Sequence, residues 1–203
     1  MDPNEKNLPL MEDFYTIQGE GFNTGEAAYF IRLAGCDVGC IWCDVKESWD
    51  EQKHPVVSAT EIVNCALKFA GRTAVITGGE PLMYNLETLC ETLKKTGFKT
   101  WLETSGAYPL TGTWDWICIS PKKFKAPLED VLAIADELKI VVYNKTDLDW
   151  AEKQSQLVGP YCKLYLQPEY SVFQKVTPMI IDYIKLHPQW KISIQVHKVI
   201  DVP

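Results

Sequence analysis

No stretch of the 203-residue sequence approaches the roughly 18 consecutive apolar residues that a membrane helix requires, so no membrane partner is expected. An excess of positive charge is also missing. Twenty Lys and Arg stand against 27 Asp and Glu, a formal net charge of −7. A broad nucleic-acid surface needs clustered Lys and Arg to displace phosphate counterions, so nucleic acid is not expected as a partner either. Met1 to Leu10 is polar, carries two prolines and lacks the apolar core of a secretory leader, which points to the cytoplasm. The seven cysteines are an odd number in a reducing compartment, which argues against a disulfide framework. Repeats and low-complexity linkers are absent. With 46 % hydrophobic and 23 % charged residues the chain is not disordered. Its length fits one domain, residues 1–203, with a real core.

What the chain does contain is an alternation of strands and helices. Ala28 to Leu33 (AYFIRL) predicts a strand. Ser58 opens a helix with Glu61 completing a capping box, Ile62, Val63, Ala66, Leu67 and Phe69 forming its apolar face and Gly71 ending it. Thr73–Thr77 is a short apolar strand, and Asn85 to Gly97 a second amphipathic helix. Further strands are expected at Lys99–Glu103, Trp116–Ile119, Glu137–Val142, Lys163–Gln167 and Lys191–Val196, with helices at Leu128–Ala135, Asp147–Leu157 and Thr177–Leu186. Such an order implies a mostly parallel α/β sheet of six to seven strands covered by helices. That is too few for a closed eightfold barrel and leaves an incomplete (β/α) barrel or a doubly wound sheet. Five polar clusters follow strands directly: Gly78–Pro81, Glu103–Gly106, Ser120–Lys123, Gln167–Glu169 and Gln195–Lys198. In parallel α/β folds function collects at the carboxyl ends of strands, so these clusters are expected to share one rim.

The densest chemical signal is Cys36-Asp-Val-Gly-Cys40-Ile-Trp-Cys43, a C-x3-C-x2-C spacing directly after the first strand. Thiolates ligate iron–sulfur clusters and zinc. Gly35 and Gly39 loosen the backbone for a tight wrap. Three sulfurs leave one iron of a 4Fe–4S cubane without a protein ligand, open to a substrate or cofactor. The alternative is a zinc site, which needs a fourth donor; Asp37, Asp44 and His54 are the local candidates. Cys65, Cys90, Cys118 and Cys162 lie outside this cluster, and Cys65, Cys90 and Cys118 read as small buried hydrophobes.

With Trp42 before the last cysteine and Thr77-Gly78-Gly79-Glu80-Pro81 further on, the chain resembles the radical S-adenosylmethionine superfamily, whose glycine-rich motif meets the cofactor's amino group. Within it the chain resembles the 7-carboxy-7-deazaguanine synthase family, from Tyr15–Gly21 (YTIQGEG) and Phe30–Cys36 (FIRLAGC) through Glu103–Gly106, Ser120–Lys122 and Gln167–Tyr170 to Gln195–Lys198 and the terminal Pro203. The resemblance implies a radical lyase of 7-deazapurine and queuosine biosynthesis. It converts 6-carboxy-5,6,7,8-tetrahydropterin to 7-carboxy-7-deazaguanine with a 4Fe–4S cluster and S-adenosylmethionine. It also implies magnesium, a flavodoxin or ferredoxin as electron donor, and a homodimer.

The same resemblance suggests roles. Cys36, Cys40 and Cys43 hold iron. Trp42, Gly79, Glu80, Ser120, Pro121, Lys122, Gln167, Pro168, Glu169 and Tyr170 hold the cofactor. Ile17, Gln18, Gly19, Glu20, Arg32, Thr77 and the Pro203 carboxylate hold the pterin, and Glu103 and His197 are the catalytic candidates. Taken alone, several have plainer readings: Arg32 as a surface ion pair, Glu103 as a cap for the next turn, Lys122 and Lys123 as a solvated basic pair, His197 as a satisfied histidine, Pro203 as a fraying end. One position departs from the family pattern. Asp44 is followed by Val45 where the family has threonine. Valine has no oxygen to offer magnesium, so a weakened or altered magnesium dependence is expected. A glycyl-radical activase or a non-catalytic zinc module are the rival readings.

Overall fold

The computed structural model describes residues 7–203; the first six residues of the Met1–Leu10 segment lie outside it. Nine strands form one open sheet: β1 (Asn7–Ile17), β2 (Ala27–Leu33), β3 (Val56–Ser58), β4 (Thr73–Gly78), β5 (Lys99–Thr104), β6 (Trp116–Ile119), β7 (Glu137–Val142), β8 (Lys163–Pro168) and β9 (Trp190–Ile192). Their spatial order is β3-β1-β2-β4-β5-β6-β7-β8-β9, and the edges β3 and β9 do not meet. From β2 through β9 every pairing is parallel. Only the two pairings made by β1, with β2 and with β3, are antiparallel. The expected incomplete (β/α) barrel is therefore present, with two antiparallel strands added at one edge. β1 was not expected as a strand. Pro9 interrupts its pattern; it lies next to the irregularity in register between Leu10 and Glu12, where a missing N–H is tolerated, and its carbonyl accepts from Ala34 N at 2.8 Å.

The helices are α1 (Ala59–Ala66), α2 (Glu87–Lys95), α3 (Glu129–Ala133), α4 (Thr146–Ser155), α5 (Phe173–Leu186) and α6 (Val196–Ile200). None of them is long and apolar enough to cross a membrane. The Ser58–Glu61 capping box forms at α1, an arrangement typically contributing about 1 kcal/mol. α1 ends at Ala66 rather than near Gly71. There Lys68 N and Phe69 N bond back three residues, to Cys65 and Ala66, tightening the last turn. Phe69 then stacks on Tyr15 with ring centroids 5.0 Å apart. α5 begins four residues earlier than expected and accommodates Pro178 within it.

The helix side of the sheet carries the main core, from Ile31, Leu33 and Ile76 through Leu102, Ile119 and Leu138 to Ile180 and Trp190. The alternation of strand side chains sends a second set to the inner face. Low on that face lie Ala28, Val75 and Trp101, with Phe30 and Trp116 packed against them. Phe14 stacks on Phe30 and Phe22 on Trp116, at 5.5 and 4.9 Å. An aromatic floor thus lies below the strand ends, and polar residues further along the same faces stand above it.

The expected strand Lys191–Val196 is only three residues long, Trp190–Ile192. Ser193 N still donates to Leu166 O at 2.9 Å, and its hydroxyl donates to Gln167 Oε1 and accepts from Gly21 N. Val196 N then donates to Gly19 O at 2.9 Å. Helix α6 is drawn in this way across the strand ends, carrying His197 and the chain terminus with it.

Candidate active site

The carboxyl ends of the parallel strands enclose a cavity of about 300 Å³. The loop after β2 carries the cysteines over it. Gly35 and Gly39 adopt φ of 96° and 73°, the left-handed conformation that favours glycine. Gly35 N donates to Ser48 O at 2.6 Å and Cys36 N to Trp49 O at 3.3 Å, anchoring the loop's entry. Cys36, Cys40 and Cys43 all line the cavity, and none is in a disulfide. Burial pushes the Cys40 thiol up to about 11 and raises that of Cys36, so thiolates here require a bound cation, which cluster iron supplies. Among the described residues no three His, Cys, Asp or Glu side chains converge on a single ion. Structural zinc needs a fourth protein donor, and its local candidates are engaged elsewhere, Asp37 with Lys125 at 2.7 Å, Asp44 with Lys198 at 3.0 Å and His54 Nε2 with Glu47 O at 2.9 Å.

The glycine pair after β4 fits against this loop for steric reasons. A Cβ at Gly78 would collide with the backbone of Leu33, and one at Gly79 with Gly35 O and Cys36 Cβ. Gly79 lines the cavity. Glu80, expected to contact cofactor, is not on the cavity wall. Its carboxylate is only 1 % exposed and lies beneath the motif. It accepts from Leu82 N at 3.0 Å, Thr104 Oγ1 at 2.5 Å, Ser105 N at 2.8 Å and the Ser105 hydroxyl. Glu80 N also donates to Gly35 O at 2.9 Å. Glu80 thus braces the ends of β4 and β5 and the cysteine loop together. Pro121 and Pro168 are likewise buried and do not reach the cavity; they shape the exits of β6 and β8.

The remaining expected cofactor residues, Trp42, Ser120, Lys122, Gln167, Glu169 and Tyr170, line the cavity. Lys122 Nζ donates to Ser120 O and Oγ, both at 2.6 Å, and stands 5.6 Å from the centre of the Trp42 ring. Burial lowers its pKa. Lys123 turns away to pair with Asp147 at 2.6 Å, so the two lysines are not one solvated patch. Gln167 Oε1 accepts from Ser193 Oγ at 2.7 Å. Glu169 spends its carboxylate on Ser171 N and Oγ, closing a short turn that presents Tyr170.

Ile17, Gln18, Gly19, Glu20, Arg32, Thr77, Glu103, His197 and Pro203 line the same cavity. Arg32 and Thr77 are register partners across β2 and β4. Arg32 Nε donates to Glu12 Oε1 at 2.7 Å, the ion pair of the plainer reading, and Arg32 also lines the cavity. A Cβ at Gly19 would strike the His197 ring, which explains glycine there and how closely α6 docks. Burial lowers the His197 pKa, favouring the neutral ring. Pro203 reaches the cavity because the Asp201 φ of 56° and the bond from Val202 N to His197 O fold the end back.

Ser48, Trp49 and Lys139 were given no part in the site by the sequence yet stand on the cavity wall, where Thr104, Ser105 and Gln195 join them as members of the polar clusters expected at the strand ends. Lys139 is the most informative, a lysine between Leu138 and Ile140 on a strand that is otherwise buried. Its signal was a charge at an inward position of an apolar run.

Comparison with known proteins fits this geometry. The Radical SAM superfamily pattern matches residues 30–117, the segment bearing the cysteine loop and the glycine pair. The 7-carboxy-7-deazaguanine synthase of Flavobacterium psychrophilum is 52 % identical over 97 % of this chain and 93 % of its own. That of a Synechocystis species is 47 % identical over 97 % and 94 %. The crystal structure of QueE from Escherichia coli superposes with a TM-score of 0.83 at 30 % identity, covering 95 % of each chain. The open parallel sheet and its three-cysteine loop are those of a radical S-adenosylmethionine enzyme, and a 4Fe–4S cluster and S-adenosylmethionine follow from that class. Within it, the chain belongs to the 7-carboxy-7-deazaguanine synthase family.

Proposed function

We propose that this enzyme converts 6-carboxy-5,6,7,8-tetrahydropterin to 7-carboxy-7-deazaguanine and ammonia, as a carbon–nitrogen lyase of 7-deazapurine and queuosine biosynthesis. One observation carries the reading. A single cavity brings together three cysteines, the aromatic and basic side chains Trp42, Tyr170 and Lys122, and the charged groups Glu20, Arg32 and Glu103. When bound, the reduced cluster and S-adenosylmethionine supply a carbon radical able to take hydrogen from C6 of the pterin.

The chain's own residues bind, orient and shield. Cys36, Cys40 and Cys43 hold the iron. Lys122 and Ser120, with Trp42, Gly79, Gln167, Glu169 and Tyr170, hold S-adenosylmethionine, the lysine pairing with its carboxylate or ribose. Arg32 is tied to Glu12 through Nε alone, which leaves both terminal nitrogens for the substrate carboxylate in a planar fork. The pterin edge is rich in donors, and carboxylates are its natural acceptors; Glu20, Glu103 and the Pro203 carboxylate supply them. Ile17, Gln18, Gly19 and Thr77 complete the pterin wall. His197, neutral near pH 7, borders the same space as an acceptor or donor.

Magnesium fits poorly. Val45 lines the cavity without an oxygen side chain, and Asp44 is already paired with Lys198 at 3.0 Å. The reading is a weakened magnesium requirement, with no step assigned to the ion. A flavodoxin or ferredoxin is the reductant, and the working form is a cytoplasmic, single-domain homodimer. The test is anaerobic reconstitution followed by product analysis with the carboxypterin and S-adenosylmethionine. Formation of 7-carboxy-7-deazaguanine and ammonia, lost in Cys40→Ala, supports the reading. An iron-loaded enzyme that cleaves S-adenosylmethionine but leaves the carboxypterin intact refutes it.

A further inference from the structure

Lys139 lies in the middle of β7 and is only 3 % exposed. Its Nζ donates to Glu20 Oε2 at 2.7 Å and to Glu103 Oε2 at 2.9 Å. These partners come from the loop after β1 and the end of β5, far apart in sequence. Gln195 Nε2 donates to the other oxygen of Glu20 at 2.9 Å. Gln18 is turned by the bond from Glu20 N to its Oε1, at 3.0 Å, so that its Nε2 faces Glu103 Oε1 at 3.5 Å. Two glutamines and one ammonium thus frame two carboxylates on the cavity wall.

We infer that Lys139 is a positioning residue that fixes Glu20 and Glu103 side by side, both ionised, as a paired acceptor for the donor-rich edge of the substrate. The inference rests on the pterin reading above. A carboxylate offers about four lone-pair sites, and the framing bonds leave others open toward the cavity. Two carboxylates that share one ammonium repel each other once that cation is removed, which raises the pKa of one of them and favours its protonated form. A protonated carboxyl would present a donor to the donors of the substrate.

The other charged or titratable groups around Lys139 do not replace it. Glu137, two residues earlier on β7, accepts from Phe22 N and Trp116 Nε1. Cys118 on β6 is buried and its thiol is raised well above the ordinary range by that burial. Lys122, after β6, is held by Ser120. His197 on α6 is shifted toward the neutral form by burial. Burial opposes charge on Lys139 itself, but the carboxyl groups of Glu103, Glu20 and Glu137 outweigh it and raise its pKa well above the usual lysine value. The ammonium therefore persists across the working pH range.

The experiment compares wild type, K139M, K139R and K139M/E103Q as reconstituted holoenzymes with S-adenosylmethionine present. The dissociation constant of the carboxypterin and the KM and kcat for it are measured from about pH 6 to pH 9, a span set by the carboxyl and lysine ranges at issue. Wild type is expected to bind with little pH dependence. K139M is expected to bind about tenfold more weakly at pH 7, which corresponds to one carboxyl titrating about one unit above that pH, a rise of roughly 3.5 units from the ordinary glutamate value. Its affinity should recover as pH rises, with iron content and S-adenosylmethionine affinity unchanged. K139M/E103Q is expected to bind weakly but without pH dependence, and K139R to stay near wild type. Should K139M be too unstable to purify, the last two variants decide. A wild type that ignores the carboxypterin overturns the pterin reading and this inference with it. A wild type that binds it, alongside a K139M or K139M/E103Q that binds as tightly and with the same pH profile, overturns the inference alone.

Discussion

Replacing Glu80 separates two roles for the glycine-rich motif. In Glu80→Ala, Leu82 N and Ser105 N lose the carboxylate that accepts them, and the Thr104 and Ser105 hydroxyls lose theirs. A buried donor left unpaired costs about 1–3 kcal/mol, while hydroxyls can rotate toward other acceptors. Two orphaned amides plus a side-chain-sized void give a loss of about 4 kcal/mol. That is a large fraction of the stability of an ordinary domain. For a chain of this length it corresponds to a fall of roughly 8–16 °C in Tm. Because Glu80 N is also bonded to Gly35 O, iron retention should drop in parallel. The assay is thermal and urea unfolding of the cluster-free protein, where metal loss does not mix with unfolding, followed by iron analysis after reconstitution. A variant with Tm unchanged, full iron content and weakened S-adenosylmethionine binding would refute the bracing role and restore Glu80 as a cofactor contact.

Other outcomes follow from the same geometry. Gly79→Ala should fold but lose iron, since its methyl would collide with Gly35 O and Cys36 Cβ; iron and sulfide analysis checks this. Val45→Thr should raise the response of turnover to magnesium, measured with and without chelator, and an already strong requirement in the wild type would count against the account. Glu20 gives a pH prediction. Burial raises its pKa, but the Lys139 ammonium and the bonds from Lys139, Gln195 and Gln167 outweigh that and hold it at about 2. A depressed folded value means that Glu20 stabilises the fold above about pH 4.5, the ordinary carboxyl value, and that this is lost as pH falls toward 2. Glu20→Gln should therefore lower Tm at pH 7, with the gap to wild type closing as pH drops through that window.

Much of this architecture was legible because local signals agreed with the fold. The Ser58–Glu61 box, the apolar runs of β4 and β7 and the polar clusters at strand ends all landed where their chemistry suggests. The crowded cysteines located the cavity. What stayed hidden depended on contacts between distant segments. β1 is masked by Pro9 and stabilised by pairing with β2 and β3. Gln195 and His197 were expected near a strand, but α6 forms because Val196 bonds to Gly19 rather than to β8. Lys139 reads as an oddity in a strand until Glu20 and Glu103 are seen around it. Glu80 sits in a motif that suggests a ligand, and only its four donors reveal a brace.

Electron paramagnetic resonance of the anaerobically reduced, reconstituted enzyme, recorded before and after adding S-adenosylmethionine, tests the central claim most directly. The account predicts a 4Fe–4S signal, dependent on Cys36, Cys40 and Cys43, whose g-values change when S-adenosylmethionine occupies the iron that has no protein ligand. A spectrum that shows no 4Fe–4S cluster, or one indifferent to S-adenosylmethionine, would contradict it.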